Sequence, residues 1–180
     1  MSALIAFALA ATLQGEVTRS GTVRVALPPD EALELFTPVG EIAWAPGWQP
    51  QYVWPADGSP VVGGVWLTQD HVTPPDDATV EDGMWLTTES ARQTIWRVQK
   101  FDRAAHEAEY LRVTPGNRVM TVHVQLAAES EGTLATVTYR ALAISDVGRA
   151  WLETFTADRF AQMLREWEQL IATYLAARPG

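Results

Sequence analysis

The sequence predicts an α+β fold in which a curved antiparallel sheet wraps one long C-terminal helix, with two short helices after the first strand. Three observations carry this. Residues 94–143 fall into segments of alternating apolar and polar residues, separated by turn pieces such as PGN and SEG, as neighbouring antiparallel strands do. From residue 145 the period lengthens, and Phe160, Met163, Leu164, Trp167, Leu170, Ile171 and Tyr174 recur at three- and four-residue spacing. That is the apolar stripe of an amphipathic helix. A lone helix with so broad an apolar face must lie against the sheet, and a curved sheet leaves a space beneath it, a natural ligand cavity.

The elements follow in order. Residues 1–15 read as an N-terminal extension or a weak signal-like segment, and residues 16–180 as a single domain. The apolar run at 3–13, ALIAFALAATL, has no Lys or Arg before it, as a secretory signal should, and it is too short to span a bilayer. Residues 17–27 end in period-two alternation at Val23, Val25 and Leu27, which predicts a strand. Pro28 and Pro29 stop it, and Asp30 is expected to cap a short helix over 31–36. Strands are expected at 51–54, 61–68, 83–88, 94–101, 106–114, 119–128 and 133–143. GVWLT and GMWLT make the strands at 61–68 and 83–88 look like a pair, with an acidic, Pro-rich loop between them. The long helix is expected over 158–177, about 30 Å at 1.5 Å per residue. Gly148 and Thr156 weaken the turns before it, so a kink or a two-part helix is expected.

Composition narrows the function classes. The net charge is −9 and no Lys/Arg stripe exists to neutralise phosphates, so nucleic acid is not an expected partner. No stable membrane insertion is expected either. There is no cysteine, which removes thiol catalysis and thiolate metal sites. His71, His106 and His123 are scattered without ligand spacing, and no P-loop, dinucleotide fingerprint or G-x-S-x-G is present. No cofactor or metal is therefore expected. A cytoplasmic location is expected, or export if the N-terminal run is a signal; oligomeric state is not legible.

Eight tryptophans is a high count for 180 residues. Two of them sit in GEIAWAPGWQP, residues 40–50, around a Pro-Gly pair that favours a turn. This segment, with LFTP before it and TIW and YLRVTPG later, resembles the pattern of the SRPBCC superfamily, the START-like, helix-grip group. The likeness covers about residues 21–175 and is most specific around Trp44 and Trp48. The acidic loop 69–82 looks like an insertion, and the first fifteen residues have no counterpart. The resemblance implies a helix-grip fold with a hydrophobic cavity and, because one fold hosts carriers, receptors and cyclases, no particular activity.

The candidate ligand-binding residues are Glu41, Trp44, Trp48, Trp85, Trp96, Tyr110, Arg112, Tyr139, Met163 and Trp167. Trp44 and Trp48 are expected at the cavity rim. The plainer reading is that they plug it, with Glu41 accepting an indole or backbone N–H. Alternation puts Trp96 with Val98, and Val137 with Tyr139, each pair on one face. Among the strand arginines Arg97, Arg112 and Arg140, Arg112 is the candidate to hold an anionic head group, with Glu41 as its partner. Core packing is the simpler reading for each strand aromatic taken singly, and solvent exposure or pairing with an acid for each strand arginine. His123 is the candidate acid–base group. The expected function is binding of a hydrophobic or amphipathic small molecule. The rivals are a cyclase- or dehydratase-like enzyme using the same cavity and a protein-interaction module.

Overall fold

The computed structural model describes residues 15–69 and 93–178. Strand β1 (Glu16–Val25) is followed by helix α1 (Pro29–Glu34), a 3-10 turn (Gly40–Ala43), and strands β2 (Gln51–Trp54) and β3 (Val65–Gln69). Then come β4 (Gln93–Asp102), β5 (Glu107–Thr114), β6 (Arg118–Glu129) and β7 (Gly132–Ala143), and helices α2 (Asp146–Thr154) and α3 (Ala157–Ala177). All seven strands form one antiparallel sheet in the order β1-β7-β6-β5-β4-β3-β2. Short hairpins explain the middle of this order, since consecutive strands pair where the connection is short. Helix α3 packs across the concave face, where Phe160, Leu164 and Ile171 are buried. Leu164 comes so close to β1 that a Cβ on Gly21 would lie 2.6 Å from its Cδ1.

Several elements differ from expectation for local reasons. Helix α1 begins at Pro29, because proline at the first helical position gives up only an N–H that has no partner there. Pro28 is the N-cap, and Asp30 caps nothing; its carboxylate meets His106 Nε2 at 2.9 Å. Strand β3 starts only at Val65, because residues 61–64 turn, with Gly64 N–H donating to the Val61 carbonyl at 2.8 Å. The C-terminal helix is in two parts. Thr156 caps α3 by accepting from Arg159 N–H at 3.2 Å, so the weak point ahead of it is a helix start. Gly148 lets α2 lie on the β5–β6 turn, since a Cβ there would overlap the Asn117 carbonyl. The apolar run at 3–13, the expected strand at 83–88 with Trp85, and all but the first residue of the acidic loop lie outside the described residues.

The sheet register fixes which side chains share the concave face, because residues directly opposite each other across strands point the same way. One row runs Trp66, Trp96, Arg112, Met120, Ala141 across β3, β4, β5, β6 and β7. Beside it runs Val98, Tyr110, Val122, Tyr139. Toward the β5–β6 turn the face becomes polar: Thr68 opposes Thr94, the Thr94 and Thr114 hydroxyls are 3.0 Å apart, and Thr114 opposes Arg118. Toward the other end it is apolar, with Ala108, Val124 and Val137 in one row.

Candidate functional site

Between the concave face and the covering elements lies a cavity of about 700 Å³. This is within the range of about 300–1,000 Å³ typical of small-molecule sites. Residues 36–51 close one side, Met163 and Trp167 of α3 another, and Trp151 of α2 stands at the polar end. Six of the described tryptophans line it: Trp44, Trp48, Trp66, Trp96, Trp151 and Trp167.

The tryptophan turn is built by its own backbone. Thr37 Oγ1 accepts from Gly40 N–H at 3.0 Å, and a Cβ on Gly40 would overlap the Glu34 carbonyl. Gly47 takes φ 76°, a left-handed conformation that suits glycine after Pro46. These constraints aim both indoles inward. Trp44 Nε1 donates to the Leu35 carbonyl and Trp48 Nε1 to the Pro38 carbonyl, each at 2.8 Å. Both indoles therefore find backbone acceptors, and the expectation that Glu41 accepts an indole N–H is not met. Trp44 is buried and meets Trp167 edge-on, while Trp48 is half-buried and meets Trp96 edge-on with centroids 5.7 Å apart. The turn is thus both plug and wall.

Nine of the ten candidate residues line the cavity: Glu41, Trp44, Trp48, Trp96, Tyr110, Arg112, Tyr139, Met163 and Trp167. The tenth, Trp85, lies outside the described residues. Other lining residues, among them Trp66, Arg118, Trp151 and Arg159, were not singled out as site residues by sequence reasoning. Trp66 is the cross-strand partner of Trp96, and their rings stack at 5.6 Å with an interplanar angle of 9°. The alternation Trp66, Thr68 was available as a signal; nothing in the turn-like TPGNRV marked Arg118 as buried.

His123 does not reach the cavity. It stands on the opposite face from Val122 and Val124, which line it, and its Nε2 meets Glu107 Oε1 at 2.8 Å in a surface cluster with Lys100. Arg97 and Arg140 are also outward; Arg140 pairs with Glu16 at 2.6 Å. The acid–base role expected of His123 is therefore not available to it inside the pocket.

The cavity's described charged groups are Glu41, Arg112, Arg118 and Arg159, and Arg112 acts electrostatically on Glu41. Loss of solvent around the Glu41 carboxyl pushes its pKa from the ordinary 4.5 up to about 8, and the positive charge of Arg112 opposes the rise. Burial also pushes the phenols of Tyr110 and Tyr139 well above their usual range. The Tyr110 hydroxyl donates to the Phe36 carbonyl at 2.9 Å. The Arg112 guanidinium lies over the Trp96 ring, 5.0 Å from its centroid, and that of Arg118 lies 3.9 Å over Trp151. Trp96 Nε1 donates to Thr68 Oγ1 at 2.9 Å, whereas buried Trp66 Nε1 has no partner among the described residues. No group of three or more metal-ligating side chains occurs among the described residues, and no described helix is long and apolar enough to cross a membrane.

Comparison with known proteins identifies the architecture. No sequence-family profile matches the chain, and no curated protein matches it in sequence. Solved structures do. The structure of Ara h 8.0201 superposes with a TM-score of 0.57 at 13% identity, covering 88% of this chain and 99% of that one. Norcoclaurine synthase from Thalictrum flavum, solved in complex with dopamine and hydroxybenzaldehyde, gives 0.58 at 10% identity, covering 100% of both chains. A protein from Rhodobacter sphaeroides gives 0.56 at 15% identity, covering 92% and 95%. The chain has the helix-grip fold of the superfamily that its tryptophan segment resembles.

Proposed function

We propose that this protein binds a hydrophobic or amphipathic small molecule in the cavity between the sheet and α3. The observation that carries the reading is the cavity itself: about 700 Å³, lined by six indoles, with a few polar groups placed among them. Apolar walls supply affinity through burial, and a small number of polar groups supply orientation. A fluorescence titration with the uncharged probe N-phenyl-1-naphthylamine tests it. Saturable uptake at one probe per chain, with quenching of tryptophan emission, is expected. Absence of saturable uptake by the folded protein would overturn the reading.

A second reading is favoured by the place of Glu41: its carboxyl lines the cavity with Arg112, and loss of solvent pushes its pKa up to about 8. Such a group exchanges protons near neutrality, where general acid–base catalysis is most effective. In a cyclase- or dehydratase-like enzyme the same cavity would fold a reactive substrate, and Glu41 would carry the proton. The synthase among the structural neighbours is an enzyme on this fold, while fold alone selects no chemistry. Conversion of a bound ligand that stops in Glu41→Gln, with binding retained, would establish this reading over simple carriage.

A further inference from the structure

The concave face is graded in polarity. Its apolar end carries Ala108, Val124 and Val137, and its other end carries Thr68, Thr94, Thr114 and Arg118. Between them, Trp66, Trp96 and Arg112 stand side by side on adjacent strands. Several groups on this polar side of the cavity can donate hydrogen bonds. Arg112 lies over the Trp96 ring, its guanidinium carbon 5.0 Å from the centroid, and a guanidinium presents its N–H donors in one plane. Trp66 Nε1 is a buried donor without a partner among the described residues. Among the described lining residues, the charged side chains are three guanidiniums, Arg112, Arg118 and Arg159, against one carboxyl, Glu41. This stands against a chain whose net charge is −9.

Resting on the cavity-binding reading above, we propose that the ligand is an amphipathic anion. Its carboxylate- or sulfonate-type head sits at Arg112, Trp66 and Glu41, and its apolar body lies along Tyr110, Tyr139, Val122 and Val124. A planar guanidinium matches a two-oxygen head in the bidentate manner, and an indole N–H adds a third donor. Protonated at neutral pH, Glu41 is a further donor to the head. Ionised, it competes with the head for Arg112 and repels it. The other charged and titratable groups facing this space are Arg118, Arg159 and the phenols of Tyr110 and Tyr139, none of which becomes anionic below the phenol range.

The test compares two probes of nearly the same apolar body, 8-anilino-1-naphthalenesulfonate and uncharged N-phenyl-1-naphthylamine, on the full chain. Wild type is expected to take the sulfonate roughly tenfold or more tightly than the uncharged probe, the scale of a charge-assisted contact. Arg112→Leu should bring the ratio of affinities toward one, and Arg112→Lys should keep part of it. The ratio should also fall between pH 7 and 9 in wild type and stay flat in Glu41→Gln, which decides the matter if Arg112→Leu does not fold. Equal or tighter binding of the uncharged probe by wild type overturns the proposal, as does a ratio unchanged in folded Arg112→Leu or, should that variant not fold, a wild-type ratio flat with pH. Binding of neither probe overturns the cavity reading and this inference together, whereas uptake of the uncharged probe alone leaves the cavity reading standing.

Discussion

The indoles of Trp44 and Trp167 meet edge-on, with ring centroids 5.6 Å apart and planes inclined at 66°. This contact joins the tryptophan turn to the C-terminal helix across the cavity. The turn is thereby held by three things: the Trp44 and Trp48 bonds to its own backbone, the Trp48 edge on Trp96, and the Trp44 edge on α3.

Trp44→Ala removes a buried ring and its hydrogen bond to Leu35. The expected loss is about 3–5 kcal/mol, read from denaturant melts. Trp167 is only half-buried, so Trp167→Ala should cost less, about 1–3 kcal/mol. The double mutant should lose less than the sum of the two by about 0.5–1.5 kcal/mol. Strict additivity would mean the edge contact contributes nothing.

Glu41 links stability to pH. Its folded pKa, about 8, lies above its ordinary 4.5, so the folded protein holds a proton that the unfolded chain releases between those values. The contribution is complete below pH 4.5 and is lost as pH rises toward 8, at up to about 1.4 kcal/mol per unit. Glu41→Gln, which cannot ionise, should therefore gain stability relative to wild type as pH rises from 5 to 8. An equal pH dependence in both proteins would place the Glu41 carboxyl in water.

Trp48→Ala separates plug from wall. The ring is half-buried against Trp96 on the cavity side. Loss of an aromatic contact should weaken uptake of an apolar probe by roughly three- to tenfold, with a lower melting temperature. A lowered melting temperature with unchanged affinity, measured well below it, would make Trp48 a plug only.

His123→Ala serves as the contrasting variant. Its ring pairs with Glu107 on the outer face of the sheet. A surface contact of this kind contributes at most about 1 kcal/mol, so only a slight loss of stability is expected, and no change in probe affinity or in any turnover. A large fall in either would bring His123 into the site.

The contrast between Trp96 and Trp66 shows what was legible. Alternation along β4 places Trp96 on the side of Val98, but alternation alone does not give the register that brings Trp66, Trp96 and Arg112 into one row. That row depends on which strands pair, a nonlocal property. The long helix was legible because its stripe is local, and the break ahead of it because Gly148 and Thr156 are weak helix formers; that Thr156 caps α3 is seen only in the structure. Arg118 was not, because its burial depends on α2 bringing Trp151 over it. His123 stood as an acid–base candidate on its ordinary pKa alone, and that says nothing of which face of the sheet lines the cavity.

The central claim is that the indole-lined cavity takes a small apolar body. The indole N–H signals of the tryptophans, followed by NMR during titration with N-phenyl-1-naphthylamine, test it most directly. The signals of Trp48, Trp66 and Trp96 should shift and saturate at one probe per chain, with Trp66 moving most because its N–H has no partner among the described residues. Trp54, 55% exposed and outside the cavity lining, should stay in place. Movement of Trp54 alone, or no movement of the three cavity indoles at saturating probe, would contradict the account.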